Sequence, residues 1–365
     1  MKKFSVFLSL LLTVSLLCGC AGTPVIYHED CTCPTDDSAA VQTPTETTPA
    51  PTEAPVTTTG ALKTGLVIAT NVKDSKAAAA DAEGEAKYDV TIVAVLVDEN
   101  GVIQDCIIDG IATSVKFDAS GAITTDLAIA PQTKNELGEN YNMVKYGGAI
   151  AEWDAQAAAL ASFAIGKTVE ELKSGAVDET GYAPEGSDLA SSATIYLGGY
   201  VSAIEAAVNN AQQLGAQAGD ELKIAVITGI GDSKAADAEN AGNAQLNVDA
   251  TALTMNGDVI TSCVIDSVQA KVAFDAEGQI TSDITAAVAT KNELGENYGM
   301  VAWGGAIAEW NEQAASFASY VTGMTAAEVA GIAIDESTHP TDTDLATSVT
   351  IAIGGFQALI AKACG

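Results

Sequence analysis

Two stretches carry the hydroxyls and carboxylates best suited to chemistry, and they are copies of each other. Ser187-Asp188-Leu189-Ala190-Ser191-Ser192-Ala193-Thr194 is matched 156 residues later by Thr343-Asp344-Leu345-Ala346-Thr347-Ser348-Val349-Thr350. Each follows a turn-rich loop and opens an apolar segment with a Gly-Gly pair, Ile195 to Tyr200 and Ile351 to Phe356. A small-residue, hydroxyl-rich elbow at a helix start leaves backbone N–H groups unpaired at the positive end of the helix dipole, which suits an anion such as phosphate. The same residues also read as plain helix punctuation, with Asp188 and Asp344 as N-caps and the hydroxyls filling the first turn.

Composition narrows the chemistry. The chain has 365 residues, a formal charge of −32 and 16 basic residues, all of them lysine. Nucleic-acid binding needs a basic footprint that this sequence lacks. The absence of arginine also removes the bidentate clamp usual for phosphate or carboxylate ligands. The two histidines are His28 and His339, so a mechanism common to both elbows cannot use histidine. Ser-His-Asp catalysis and histidine-rich metal sites are therefore not expected, and neither a catalytic residue nor a metal ligand is assigned.

The elements that must position the elbows begin with a targeting segment. Lys2 and Lys3 precede an apolar core from Phe4 to Leu17, as in a signal peptide over residues 1–20. The run ends Leu17-Cys18-Gly19-Cys20, which resembles the lipobox of bacterial lipoproteins. That resemblance implies lipidation of Cys20, with palmitate-type acyl chains, and a cell-membrane location on the extracellular face. The alternative is an ordinary secretory peptide with a cysteine nearby. Residues 21–60 are rich in Thr, Pro, Ala and acidic residues and read as a disordered tether. In a polyproline-like state, at about 3.1 Å per residue, such an arm spans on the order of 120 Å. Cys31 and Cys33 within it are open to a local disulfide or to remaining free. Cys106 and Cys263 occupy matching positions in apolar runs and read as small buried hydrophobes.

Residues 61–215 and 220–365 read as two copies of one domain, joined near Gln212–Glu221. Thr133 to Trp153 and Thr290 to Trp310 are identical at 18 of 21 positions. A period this long means tandem globular units rather than a solenoid. In each copy, β-like runs (Val90–Val97, Val102–Ile108, Thr113–Phe117) are punctuated by Asp98-Glu99-Asn100-Gly101 and Asp118-Ala119-Ser120-Gly121. Helices are expected at Gly148–Ala164 and Gly305–Val321. Thr-x-x-Glu capping boxes predict short ones at Thr168–Lys173 and Thr325–Ala330. Final helices are expected from about Ser191 to Ala211 and Thr347 to Cys364. The expected fold class is α+β, an antiparallel meander with packed helices.

With these residues in view, the elbow resembles that of the FMN-binding domain, of the form Asp-x-x-(Ser/Thr)-Gly-Ala-(Ser/Thr). In that family, found in subunits of sodium-pumping NADH:quinone reductases and their relatives, a flavin transferase attaches FMN to the last Thr or Ser by a phosphodiester bond. Asp188, Ser191, Ala193 and Thr194 match the pattern, as do Asp344, Thr347 and Thr350. Ser192 and Ser348 stand where the family has Gly, and Val349 where it has Ala. A Ser fits that turn only with a negative φ. The whole chain is similar to the tandem FMN-binding-domain lipoproteins of Gram-positive extracellular electron transfer, the pheromone-precursor lipoprotein type. The resemblance implies two tandem FMN-binding-type domains with covalent FMN on Thr194 and Thr350.

It further implies a redox carrier, not a substrate-transforming enzyme, with a flavin transferase as modifying partner and a membrane quinone or NADH dehydrogenase as electron source. Lys134 and Lys291, the cations both copies share in the repeated block, are candidates to neutralise the phosphate or a reduced flavin, or else solvated surface groups. Tyr146 and Trp303 are candidates to stack on the ring, whereas Met143 and Met300 read as core. Two other readings stand beside this one. One is a wall-associated binding or structural lipoprotein without flavin. The other is release of the signal-peptide tail, ending near Val14-Ser15-Leu16-Leu17, as a peptide pheromone.

Overall fold

A computed structural model describes residues 60–365. The signal segment, Cys20, Cys31, Cys33 and the tether up to residue 59 lie outside the described residues. Three strands open each copy: β1 (Lys63–Asn71), β2 (Gly84–Val97) and β3 (Ile103–Phe117), then β4 (Glu221–Gly229), β5 (Gly242–Asn256) and β6 (Val259–Phe274). They form two antiparallel meanders, ordered β1-β2-β3 and β4-β5-β6. The expected turn at Asp98–Gly101 joins β2 to β3, and that at Asp118–Gly121 follows β3. At the first, the Asp98 carboxylate accepts from the backbone N–H groups of Asn100 and Val102, both at 2.9 Å, and Gly101 takes the left-handed conformation. The strands run further than the sequence pattern predicted. β3 continues unbroken through Asp109-Gly110, and β1 and β4 are additional edge strands.

The sheets are buried on both faces because β2 and β5 are apolar on both. Tyr88, Val90, Ile92, Ala94 and Leu96 point one way, and Val93, Val95 and Val97 the other. The first set meets Leu246, Val248, Ala250, Ala252 and Phe274 of the second copy in one central core. There the Phe117 and Phe274 rings stack face to face, with centroids 4.0 Å apart and planes within 1°. The outer face of each sheet packs on its own copy's helices, through Leu160, Leu197 and Ile204 in the first copy and Phe317, Leu359 and Ile360 in the second. The order of layers is helices, sheet, sheet, helices. Each such side chain buried contributes about 1.5–3 kcal/mol, and the central layer is common to both copies.

Reciprocal backbone bonds pin the two sheets together. Ala78 N–H donates to the Gly278 carbonyl and Ala236 N–H to the Gly121 carbonyl, both at 2.8 Å. Both glycines have positive φ, and a Cβ on either would come within 2.7 Å of the facing alanine's methyl group. The connector runs beside β1, where the Leu62 N–H donates to the Ala216 carbonyl at 2.8 Å.

The helices of the first copy are α1 (Lys134–Leu137), α2 (Met143–Gly147), α3 (Trp153–Ala164), α4 (Val169–Ala176), α5 (Asp188–Ser192) and α6 (Gly198–Asn209). Those of the second are α7 (Lys291–Leu294), α8 (Met300–Gly304), α9 (Trp310–Val321), α10 (Ala326–Ala330), α11 (Thr343–Ala346) and α12 (Gly354–Cys364). The capping boxes Thr168/Glu171 and Thr325/Glu328 form as expected. Two helix expectations are corrected. The helix expected from Gly148 starts at Trp153, because Gly148 adopts a left-handed conformation that closes α2. The expected single final helix is two, with a break from Ala193 to Leu197 in the first copy and before Gly354 in the second. No helix among the described residues is long and apolar enough to cross a membrane.

Candidate functional site

Each elbow contains a short helix and runs into that break, and does not open a long helix. Ser187, not Asp188, is the N-cap of α5, accepting from the Ala190 N–H at 3.1 Å. In the second copy Asp342, not Asp344, caps α11 and accepts from the N–H groups of Asp344 and Leu345. Asp188 and Asp344 are exposed first-turn residues. Ser191 and Thr347 donate their hydroxyls back to the Asp188 and Asp344 carbonyls at 2.6 and 2.7 Å. Ser192 and Ser348 have negative φ, so the elbow needs no glycine there. Ala193 and Val349 face the core, and either fills that position.

Thr194 and Thr350 are exposed, and a buried glutamine holds each in place. The Gln156 side-chain oxygen accepts from the Thr194 N–H at 2.8 Å, the Ile195 N–H at 3.2 Å and the Thr194 hydroxyl at 3.3 Å. Its amide nitrogen donates to the Ala151 carbonyl at 2.8 Å. Gln313 repeats this on the Thr350 N–H, the Thr350 hydroxyl and the Ala308 carbonyl, at 2.8, 3.2 and 2.8 Å. Both glutamines are fully buried, at 0% exposure. This also explains the helix break, since the glutamine oxygen takes N–H groups that a continuing helix would use. The free helix-start N–H groups expected of an anion seat are accordingly in use at Thr194 and Ile195.

One turn before each glutamine, on the same face of the helix, stands a buried tryptophan. The Lys134 ammonium lies over the Trp153 ring at 4.8 Å and the Tyr141 ring at 5.4 Å, and Lys291 lies over Trp310 and Tyr298 at 4.6 and 5.3 Å. The residue Lys134 is only 8% exposed, so the solvated-surface alternative does not hold for it. Neither ammonium has a hydrogen-bonded or ion-paired partner among the described residues; both are held over aromatic faces. Burial pulls both lysines below the ordinary range, and the nearby carboxylates of Asp89 and Asp109, or Asp249 and Asp266, oppose this. Burial likewise raises Asp109 and pushes Asp266 up to about 6, against the N–H bonds each accepts. Trp153 donates its indole N–H to the Tyr200 hydroxyl at 2.9 Å; the second copy has Phe356 against Trp310 instead.

Tyr146 and Trp303 crown exposed tips formed by α2 and α8. They are 78% and 90% exposed, with Val144, Ile150, Val301 and Ile307 exposed around them. A carboxylate fixes each tip. Glu152 accepts from the Met143 and Val144 N–H groups at 2.8 and 3.1 Å, and Glu309 does the same for Met300 and Val301. Met143 and Met300 are half-buried against the core clusters, as their core reading expected. Tip, glutamine and elbow are therefore consecutive: Glu152 and Ala151 adjoin the tip, and Ala151 bonds Gln156, which bonds Thr194. Lys134 joins the site through the rings of Trp153 and Tyr141.

Gln156, Gln313, Glu152, Glu309 and the Asp109/Asp266 pair belong to the site without being part of the elbow motif. The signal available was a glutamine three residues after the repeated tryptophan in both copies, on a face otherwise apolar. Cys106 and Cys263 are buried thiols, pushed up to about 12 by burial. Among the described residues, no group of three or more His, Cys, Asp or Glu is placed to hold a metal ion. No protein-family model, no curated protein and no solved structure matches the chain.

Proposed function

We propose that the protein is a membrane-anchored extracellular flavoprotein electron carrier, with FMN joined through phosphodiester bonds to Thr194 and Thr350. The observation that carries this reading is the duplicated, exposed threonine hydroxyl whose backbone a buried glutamine locks. An ester at Oγ removes only the longer hydroxyl bond to Gln156 and leaves the two N–H bonds intact. The fixed main chain then presents the same atom, facing solvent, to a flavin transferase that forms the phosphorus–oxygen bond. Buried Lys134 and half-buried Lys291, without an acceptor among the described residues, supply hydrogen-bond donors and positive charge for a phosphate or a reduced ring. Exposed Tyr146 and Trp303 supply stacking faces. Asp188, Asp344, Ser191, Ser192, Thr347 and Ser348 shape the elbow.

A covalent link also suits the electrostatics. Around an acidic, arginine-free surface, non-covalent retention of a phosphate dianion would be weak, whereas a diester carries a single negative charge. FMN supplies the redox chemistry when attached, and the chain positions it and tunes its surroundings. With a lipid on Cys20 and residues 21–60 as an arm, the carrier stays concentrated at the membrane, near a quinone or NADH dehydrogenase. Intact mass after co-expression with a flavin transferase tests the reading. Two FMN additions are expected, with Thr194→Ala and Thr350→Ala each removing one; unmodified protein refutes it.

One observation favours the second reading, a flavin-free binding lipoprotein. A cleft of about 630 Å³ lies between the connector residues Gln212–Leu214 and the β6–α9 face, lined by Asn292, Asn311 and Glu312. It has the size of a small-molecule site.

A further inference from the structure

The two sites are built on one plan but do not carry the same charge. In the repeated 21-residue block, the three positions that differ are Asn142/Gly299, Lys145/Ala302 and Tyr146/Trp303. All three belong to the tip. Asn142 and Gly299 both adopt the left-handed conformation and are interchangeable. The other two are not: the first tip carries a cation, Lys145, whose ammonium lies 4.9 Å over the Tyr146 ring, and the second carries none.

The sheet beneath is balanced in both copies. Strand register makes Lys87, Asp89 and Thr91 of β2 equivalent to Gln245, Asn247 and Asp249 of β5, since Thr91 opposes Gly110 and Asp249 opposes Ser267 on the matching strands. On this face the first copy carries Lys87 and Asp89, which cancel, and the second carries Asp249 and, opposite Gln245, Lys271 of β6, which also cancel. Asp109 and Asp266, and Lys134 and Lys291, match between copies. Asp154-Ala155 against Asn311-Glu312, and Glu185-Gly186 against Thr341-Asp342, exchange one carboxylate for another. Asp74 and Asp232 are also equivalent. The second site is therefore more negative by one charge, exposed at the tip. A second difference has the same sign. Glu136, beside Lys134, is ion-paired with Lys362 of α12, and its counterpart Glu293 has no ion pair among the described residues.

We infer that the two sites are electrostatically graded: a flavin on Thr194 has the higher reduction potential and one on Thr350 the lower. This rests on the flavin reading above and adds a direction to it. Two electrons and one proton convert the oxidised ring to the anionic hydroquinone, adding one negative charge that the more positive surroundings of the first site stabilise. Electrons entering the pair then settle on the first copy.

Single-flavin proteins test the inference. Thr350→Ala and Thr194→Ala chains, each shown by intact mass to carry one FMN, are titrated spectroelectrochemically with dithionite as reductant. The Thr194 flavin is expected to be the more readily reduced by about threefold in the equilibrium constant, which is about 15 mV for a two-electron couple. Lys145→Ala should lower the Thr194 potential, and this part should shrink as salt is raised. Asp249→Asn should raise the Thr350 potential and keep most of its effect in salt. Equal potentials, the reverse order, or charge changes that move the potentials the wrong way overturn the grading while leaving the flavin assignment intact. Absence of FMN by mass overturns the assignment itself.

Discussion

Replacing Gln156 by leucine tests whether the buried amide organises the elbow. Leucine is close in volume, so the change removes hydrogen bonds with little cavity. Three backbone groups lose their partner: the Thr194 and Ile195 N–H groups and the Ala151 carbonyl. At about 1 kcal/mol for each partly buried group left unpaired, Gln156→Leu should cost about 3 kcal/mol. For a folded unit of this size that lowers Tm by roughly 5 °C or more, read by calorimetry. Thr194→Ala is the control. It keeps both backbone bonds and loses one long hydroxyl bond, so its cost should stay below about 1 kcal/mol. The two variants also separate in modification. Thr194→Ala abolishes FMN addition at the first site by removing the acceptor oxygen. Gln156→Leu leaves the hydroxyl but frees its main chain, so loading there falls while loading on Thr350 does not. A Gln156→Leu protein as stable as Thr194→Ala, with full loading at Thr194, would refute the role given to the glutamine.

Further outcomes follow from the central layer and from the buried carboxylates. Phe117→Ala removes one ring of the stacked pair and should cost about 3–5 kcal/mol. Because the core is common, both copies should still melt in one lowered calorimetric transition; a second-copy transition left unmoved would count against a shared core. Asp266, held by burial at about 6, binds its proton in the folded state at pH values where the unfolded chain has released it. Its contribution therefore diminishes as pH rises from about 4 through about 6. Relative to wild type, Asp266→Asn should gain on the order of 2 kcal/mol between pH 4 and pH 7 in urea unfolding. A constant difference across that range would contradict the sign.

Much of the local structure was legible before any coordinates. The Asp-rich turns, the Thr-x-x-Glu starts of α4 and α10, and the collinear repeat are local signals, each set by residues within a few positions of one another. The elbow was legible as a motif but not as a conformation. Its helical propensity continues through Ala193, and only a glutamine 38 residues upstream decides that the helix stops there. Lys134 was visible as a shared cation, yet its burial over Trp153 depends on α1 and α3 meeting on the sheet. The run Ile92–Val97 is apolar on both faces, a signal for two covered faces, but nothing local says that the other copy covers one of them.

By itself, then, the sequence determined the strand-and-turn grammar, the duplication, the acidic and arginine-free character, and the repeated hydroxyl elbow, because these depend on local spacing and composition. Tertiary structure alone decided that the copies pack sheet to sheet around Phe117 and Phe274, and that α5 ends before Thr194. Those outcomes depend on which distant side chain reaches a given backbone group or face, and packing settles that where no local pattern encodes it.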